Sequence, residues 1–231
     1  MAKALASAGA KKVYILGRRK SALEKAAAQH KSFAPIECDV TSKNSLQSAV
    51  EAITKETGYV NLVVANSGIY GPAKSFDPSL TVQQLRKNLF EDVAMEDFTA
   101  TFHANVTGAY FTLLAFLELL DAGEFPSILG AWVQARRERE PQLSQIQGGF
   151  GAPLKEGSNV PSIPSQVIIT SSVSAYTRDR FTAPAYGGSK SAIAHLMKHA
   201  STNLAPYEIR VNAMAPGCKL QQPVDDMAHI H

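Results

Sequence analysis

Five short apolar runs, each alternating with a stretch of helical character, restrict the fold of this chain more than any other feature. Val13 to Leu16 is stopped by Gly17, and "APIECDV", "VNLVVAN", "SQVIITSS" and "EIRVNAMA" follow at intervals along the sequence. Between them lie good helix formers. "MAKALASAGA" ends at Gly9, "SALEKAAAQ" follows Gly17, and Leu46, Ala49, Val50 and Ile53 recur at the helical period ahead of the third run. A long helix is expected from about Asp97 to Leu120, and another around Tyr186 and Lys190. Nearly continuous apolar strands joined by helices imply a parallel sheet covered on both faces, because a parallel connection needs a crossover long enough to hold a helix. The expected class is therefore α/β, a doubly wound parallel sheet of Rossmann type.

At 231 residues the chain is sized for one domain, expected to span residues 1–231. An irregular insertion interrupts the alternation at about 123–165, where Pro126, Pro141, Pro153, Pro161 and Pro164 accompany the charge run "RRERE". Such a connection is far longer than the usual handful of residues between elements. The formal charge of +3 is scattered rather than clustered, which argues against a nucleic-acid surface. No apolar run reaches membrane-spanning length, and the first residues lack the order of a signal peptide. Cys38 and Cys218 form neither a metal-ligand spacing nor a disulfide framework. A soluble cytoplasmic protein without metal is expected.

Tyr186 and Lys190 stand at i and i+4 and share a helix face with the apolar stripe of Ile193, Met197 and Leu204. An ammonium about 4 Å from a phenol, at an effective dielectric of about 20, is worth about 4 kcal/mol to the phenolate, which suits general acid/base work. The same spacing also arises by chance on many helices. Upstream, Ser171 and Ser172 end a predicted parallel strand, the place where open α/β sheets bind ligands. Either serine can equally cap a turn. Arg18 and Arg19 follow the first run where an acidic residue would favour ribose hydroxyls, and guanidinium suits a 2′-phosphate instead. His195 and His199 are spaced like metal ligands, yet no glutamate completes an H-E-x-x-H pattern, so a solvated face is expected. His103 is given no role.

Together these motifs resemble the short-chain dehydrogenase/reductase family. A serine at a strand end, then "YGGSK" opening a helix, then "RVNAMAPG" carry the likeness, joined by "CDV", "ANSG" and "HANVTGAYF" in order. The resemblance implies Tyr186 as acid/base, Lys190 as its partner and a ribose ligand, Ser172 as the carbonyl-oxygen binder, and Asn105 as the anchor of a proton relay. It implies a cofactor site of Arg18, Arg19, Asp39, Val40, Asn66, Gly68, Tyr186, Lys190, Pro216 and Gly217. The reading is NADP(H)-dependent reduction of a small-molecule carbonyl, or oxidation of a secondary alcohol, with a homo-oligomer expected through the helices of Asn105 and Tyr186. The likeness covers about residues 2–122 and 166–217. The family's first strand and its glycine-rich phosphate loop have no counterpart, since Met1 falls inside the helix that should follow them, and Cys218 to His231 stand in place of the family's closing segments. A shortened chain is expected, and a non-catalytic relative that pairs with an intact homologue is the alternative.

Overall fold

The computed structural model describes residues 1–122 and 165–217; the expected insertion, apart from Ser165, and Cys218 lie outside them. Within the described residues the five apolar runs form strands β1 (Val13–Gly17), β2 (Phe33–Glu37), β3 (Leu62–Ala65), β4 (Gln166–Thr170) and β5 (Arg210–Met214). Every pairing is parallel. The strands divide into two groups, β1 beside β2, and β3-β4-β5 in that order. Val13 stands opposite Phe33, while Leu62, Gln166 and Arg210 share one level across the second group.

The α-helices among the described residues are α1 (Ala2–Ser7), α2 (Lys20–Ala27), α3 (Lys43–Glu56), α4 (Val82–Arg86), α5 (Met95–Phe102), α6 (Ala109–Ala115), α7 (Leu117–Asp121) and α8 (Pro184–Leu204). Helix α3 begins where the Ser42 side chain accepts from Ser45 N, and it buries the four apolar residues that the periodicity singles out. Pro184 opens α8, where a missing N–H costs nothing. Val167 and Ile169 on β4 are fully buried and meet Ile53, Leu113, Leu120, Ile193 and Val211 in one apolar core. Each such side chain contributes about 1.5 to 3 kcal/mol relative to exposure. The core therefore clamps α3, α6 and α8 onto β3, β4 and β5.

Two features depart from a simple reading of the pattern. The helix expected from Asp97 to Leu120 is broken: a π-helical stretch, His103–Gly108, separates α5 from α6, and the chain turns again at Phe116. The wider π turn holds Asn105, whose buried side chain is tied outside its own helix. Gly108 ends that turn where a β-carbon would sit 3.2 Å from the Val40 carbonyl, so the helix passes close to the segment after β2. The second feature is a groove of about 1180 Å³ between the two strand groups, lined by Val13 to Leu16 on one side and Leu62 to Ala65 on the other. Strands β1 and β3 each turn toward it an edge that has no strand partner among the described residues.

Candidate active site

Strand β4 and helix α8 build the centre of the site. Ser171 Oγ donates to Lys190 O at 2.9 Å and so braces the strand end against the helix. Ser172 does something different. Its Oγ accepts from Ser174 N at 3.2 Å and caps the short 3-10 turn Val173–Ala175. Of the two serines that the sequence leaves open, Ser171 is thus a structural brace, and Ser172 sits at the turn that leaves the sheet. Pro216 O accepts from Val173 N at 3.1 Å, and a β-carbon on Gly217 would be 3.5 Å from Val173, so the end of β5 lies beside that turn.

Tyr186 occupies the first turn of α8 and Lys190 the next. The Lys190 side chain is buried, its Nζ donating to Thr170 O at 2.8 Å and standing 5.6 Å from the centroid of the Tyr186 ring. Burial pushes the Lys190 ammonium below the usual lysine value. Among the described residues it has no carboxylate in an ion pair. A desolvated cation held by one carbonyl and a ring face keeps further N–H groups to offer.

Asn105 organises the opposite side. Its Oδ1 accepts from Ile69 N at 2.7 Å, and its Nδ2 donates to Ile69 O at 2.8 Å and to Ser189 Oγ at 2.9 Å. One side chain thereby ties the loop after β3 to helix α8. Gly68 lies at the crossing point: a β-carbon there would be 2.8 Å from Asn105 Oδ1 and 3.5 Å from Lys190 Nζ. Asn66 Oδ1 accepts from Thr170 Oγ1 at 3.0 Å, linking the ends of β3 and β4. The structure therefore brings Asn66, Gly68, Asn105, Ser172, Tyr186, Lys190, Pro216 and Gly217 to the carboxyl ends of β3, β4 and β5.

Arg18, Arg19, Asp39 and Val40 form a second group, beyond the ends of β1 and β2. Hydrogen bonds from Thr41 Oγ1 at 2.7 Å and Thr41 N at 2.9 Å hold the Asp39 carboxyl below its usual range, and Arg18 and His103 lower it further. His103, to which the sequence gives no role, lies near enough for its charge to act on Asp39, a proximity across the fold that no local motif announces. Nor does the sequence single out Ser189, the second residue that Asn105 bonds. His195 and His199 are exposed on α8, and His199 pairs with Asn203. Among the described residues there is no group of three potential ligands able to hold a metal ion.

The profile of the short chain dehydrogenase family matches residues 1–142 and 162–225. The chain belongs to this family. It is 56% identical over 218 residues to the short-chain dehydrogenase/reductase SAT3 of Stachybotrys chartarum, covering 94% of this chain and 73% of that protein. The short-chain dehydrogenase/reductase VdtF of Byssochlamys spectabilis is 40% identical, with 94% and 68% covered. Among solved structures, a short-chain type dehydrogenase/reductase from Mycobacterium marinum superposes with a TM-score of 0.66 at 24% identity, over 94% of this chain and 68% of that one. NAD+-bound xylitol dehydrogenase gives 0.61 at 24% identity, and this chain spans 60% of its length. As a short-chain dehydrogenase the protein falls among oxidoreductases built on an NAD(P)-binding fold of Rossmann type, and the α/β class read from the sequence holds. No helix among the described residues is long and apolar enough to cross a membrane.

Proposed function

We propose that this chain carries the proton-transfer centre of an NADP(H)-dependent short-chain dehydrogenase/reductase that interconverts a small-molecule carbonyl compound and a secondary alcohol. The observation that supports this reading is the meeting of Asn105 and Lys190 across Gly68, one helical turn from Tyr186. Reduction places negative charge on the carbonyl oxygen, so hydroxyl donors from Ser172 and Tyr186 act where that charge develops, and Tyr186 gives up its proton to the product alkoxide. Lys190 contributes a buried positive charge near the Tyr186 ring, which favours the phenolate left behind. Asn105 holds the Ile69 backbone against α8 and so fixes the loop beside the phenol.

The residues present fit both ends of a nicotinamide dinucleotide. In this reading Lys190 Nζ, which retains N–H groups, would take the ribose hydroxyls, and Asp39 and Val40, beyond the end of β2, would take the adenine end. Arg18 and Arg19, both exposed after β1, suit a 2′-phosphate and support NADP(H) over NAD(H). Among the described residues no glycine-rich turn opens a helix for the pyrophosphate. When bound, the dinucleotide supplies or accepts the hydride. A cytoplasmic setting and pairing of copies through α5, α6 and α8 belong to the same reading.

The test is Tyr186→Phe in the full chain, scored by NADPH oxidation at 340 nm and by NADPH binding. Turnover is expected to fall at least about a hundredfold, as for removal of a general acid, with cofactor affinity within about twofold. Unchanged turnover refutes the assignment. The groove between β1 and β3 favours a second reading, a non-catalytic relative acting by pairing with an intact homologue. A chain that binds no NADPH alone but co-purifies with such a homologue selects it.

A further inference from the structure

Tyr70 is held in place with more care than a half-exposed side chain needs. Its ring packs on Tyr186 with centroids 4.9 Å apart and planes inclined by 31°, while 48% of the residue stays exposed. The backbone on both sides is fixed. Ile69, just before it, has its N–H and its carbonyl both bound to the Asn105 side chain. Gly71, just after it, has φ +75°, and a β-carbon there would collide with the side chain of Thr101, which is fully buried and donates to Asp97 O at 2.9 Å. A side chain at position 71 would have to displace a buried helix residue, so the turn admits glycine alone. The result is an aromatic ring on a fixed backbone, packed against the candidate acid/base and about half open to solvent. Rigid, pre-ordered tyrosines bind flat partners with little entropy lost on contact.

A second stretch with exposed aromatic side chains leads into Tyr186. The segment that leaves Ser172 and returns to Tyr186 exposes Val173 at 39%, Tyr176 at 61% and Phe181 at 66%. Its Arg180 guanidinium lies 5.1 Å from the Phe181 ring centroid. That guanidinium also acts on Asp77 of the loop carrying Tyr70, whose carboxyl Ser79 chiefly holds below its usual range. Arg180 is thus close enough to the loop carrying Tyr70 for its charge to be felt there.

We infer that Tyr70 is a specificity-determining residue that stacks on the substrate, and that the site takes a flat aromatic or conjugated ketone, or the corresponding alcohol. The substrate ring lies against Tyr70 in an offset stack, the arrangement aromatic pairs prefer, with its carbonyl oxygen toward the Tyr186 hydroxyl. This rests on the reading of Tyr186 as proton donor. The experiment is chosen to fail separately from it.

Binding of 2-acetylnaphthalene and of cyclohexyl methyl ketone is measured on the full chain by ligand-observed NMR, without cofactor and without turnover. The two probes share a methyl ketone and differ in whether the ring is flat. The naphthyl ketone is expected to bind about tenfold tighter, and Tyr70→Ala to bring the two within about twofold by weakening the naphthyl ketone alone, the scale of one aromatic stack. Tyr70→Phe keeps the preference. Tyr70→Leu, which retains apolar bulk in case the alanine variant does not fold, loses it. Equal affinities in the parent, no binding of either probe, or a Tyr70 variant that weakens both ketones alike overturns the inference. Turnover that survives Tyr186→Phe refutes the proton-donor reading and leaves these binding results standing on their own.

Discussion

Gly68→Ala tests the meeting point of the candidate site most directly. The added methyl group would stand 2.8 Å from Asn105 Oδ1, closer than carbon and oxygen tolerate, and 3.5 Å from Lys190 Nζ, an ordinary contact. Asn105 has to give way. Its residue is 1% exposed and its carboxamide is fastened at both ends, to Ile69 N, Ile69 O and Ser189 Oγ. Moving it disturbs all three bonds, each worth about 0.5 to 1.5 kcal/mol net, so the expected loss is about 3 kcal/mol. For a chain of this size that lowers Tm by roughly 6 to 12 °C. Gly17→Ala is the control, because its β-carbon would meet Leu23 at an acceptable 3.5 Å, and it should cost under about 1 kcal/mol. The assay is thermal unfolding followed by circular dichroism. In an Asn105→Ala background the obstacle is gone, so Gly68→Ala should then be nearly neutral, a non-additivity expected only of residues in contact. A Gly68→Ala variant that melts within about 1 °C of its parent, against the shift expected here, refutes the clamp.

Lys190 gives a pH signature: burial depresses its folded-state pKa, so between that value and about 10.4 the unfolded chain holds a proton the folded one has released. Stability should rise with pH across that window and stay flatter in Lys190→Met, as measured by urea unfolding at stepped pH; parallel profiles sink the argument. Arg18→Ala should shrink the preference for NADPH over NADH by about 1 to 3 kcal/mol, the worth of a charged hydrogen bond, read from the two dissociation constants; no preference in the parent contradicts the phosphate reading. An apolar strand fused ahead of Met1, which itself lines the groove, should pair with the open edges of β1 and β3 and slow amide exchange at Val13 to Leu16 and Leu62 to Ala65. Unaltered exchange at both edges would mean that the groove does not accept a strand.

Much of this protein is legible in its sequence because the signals are local. The short apolar runs 13–16 and 166–170 form strands, Val167 and Ile169 being buried, and Leu46, Ala49, Val50 and Ile53 face one way on any helix, so element type and class follow from periodicity. The order of "ANSG", "HANVTGAYF", "YGGSK" and "RVNAMAPG" carries the family for the same reason. Tertiary structure decided what depends on distance between segments. It separated Ser171, which braces Lys190 O, from its neighbour Ser172, a distinction invisible in two adjacent identical residues. It broke the helix from Asp97 to Leu120 with a π turn, since the bonds of Asn105 to Ile69 join residues 36 apart in sequence. It brought Tyr70 onto Tyr186 and Asn105 to Ser189, neither of which any local spacing announces. Periodicity reports which face of an element is buried; only the packing of elements against one another fixes which side chains meet there.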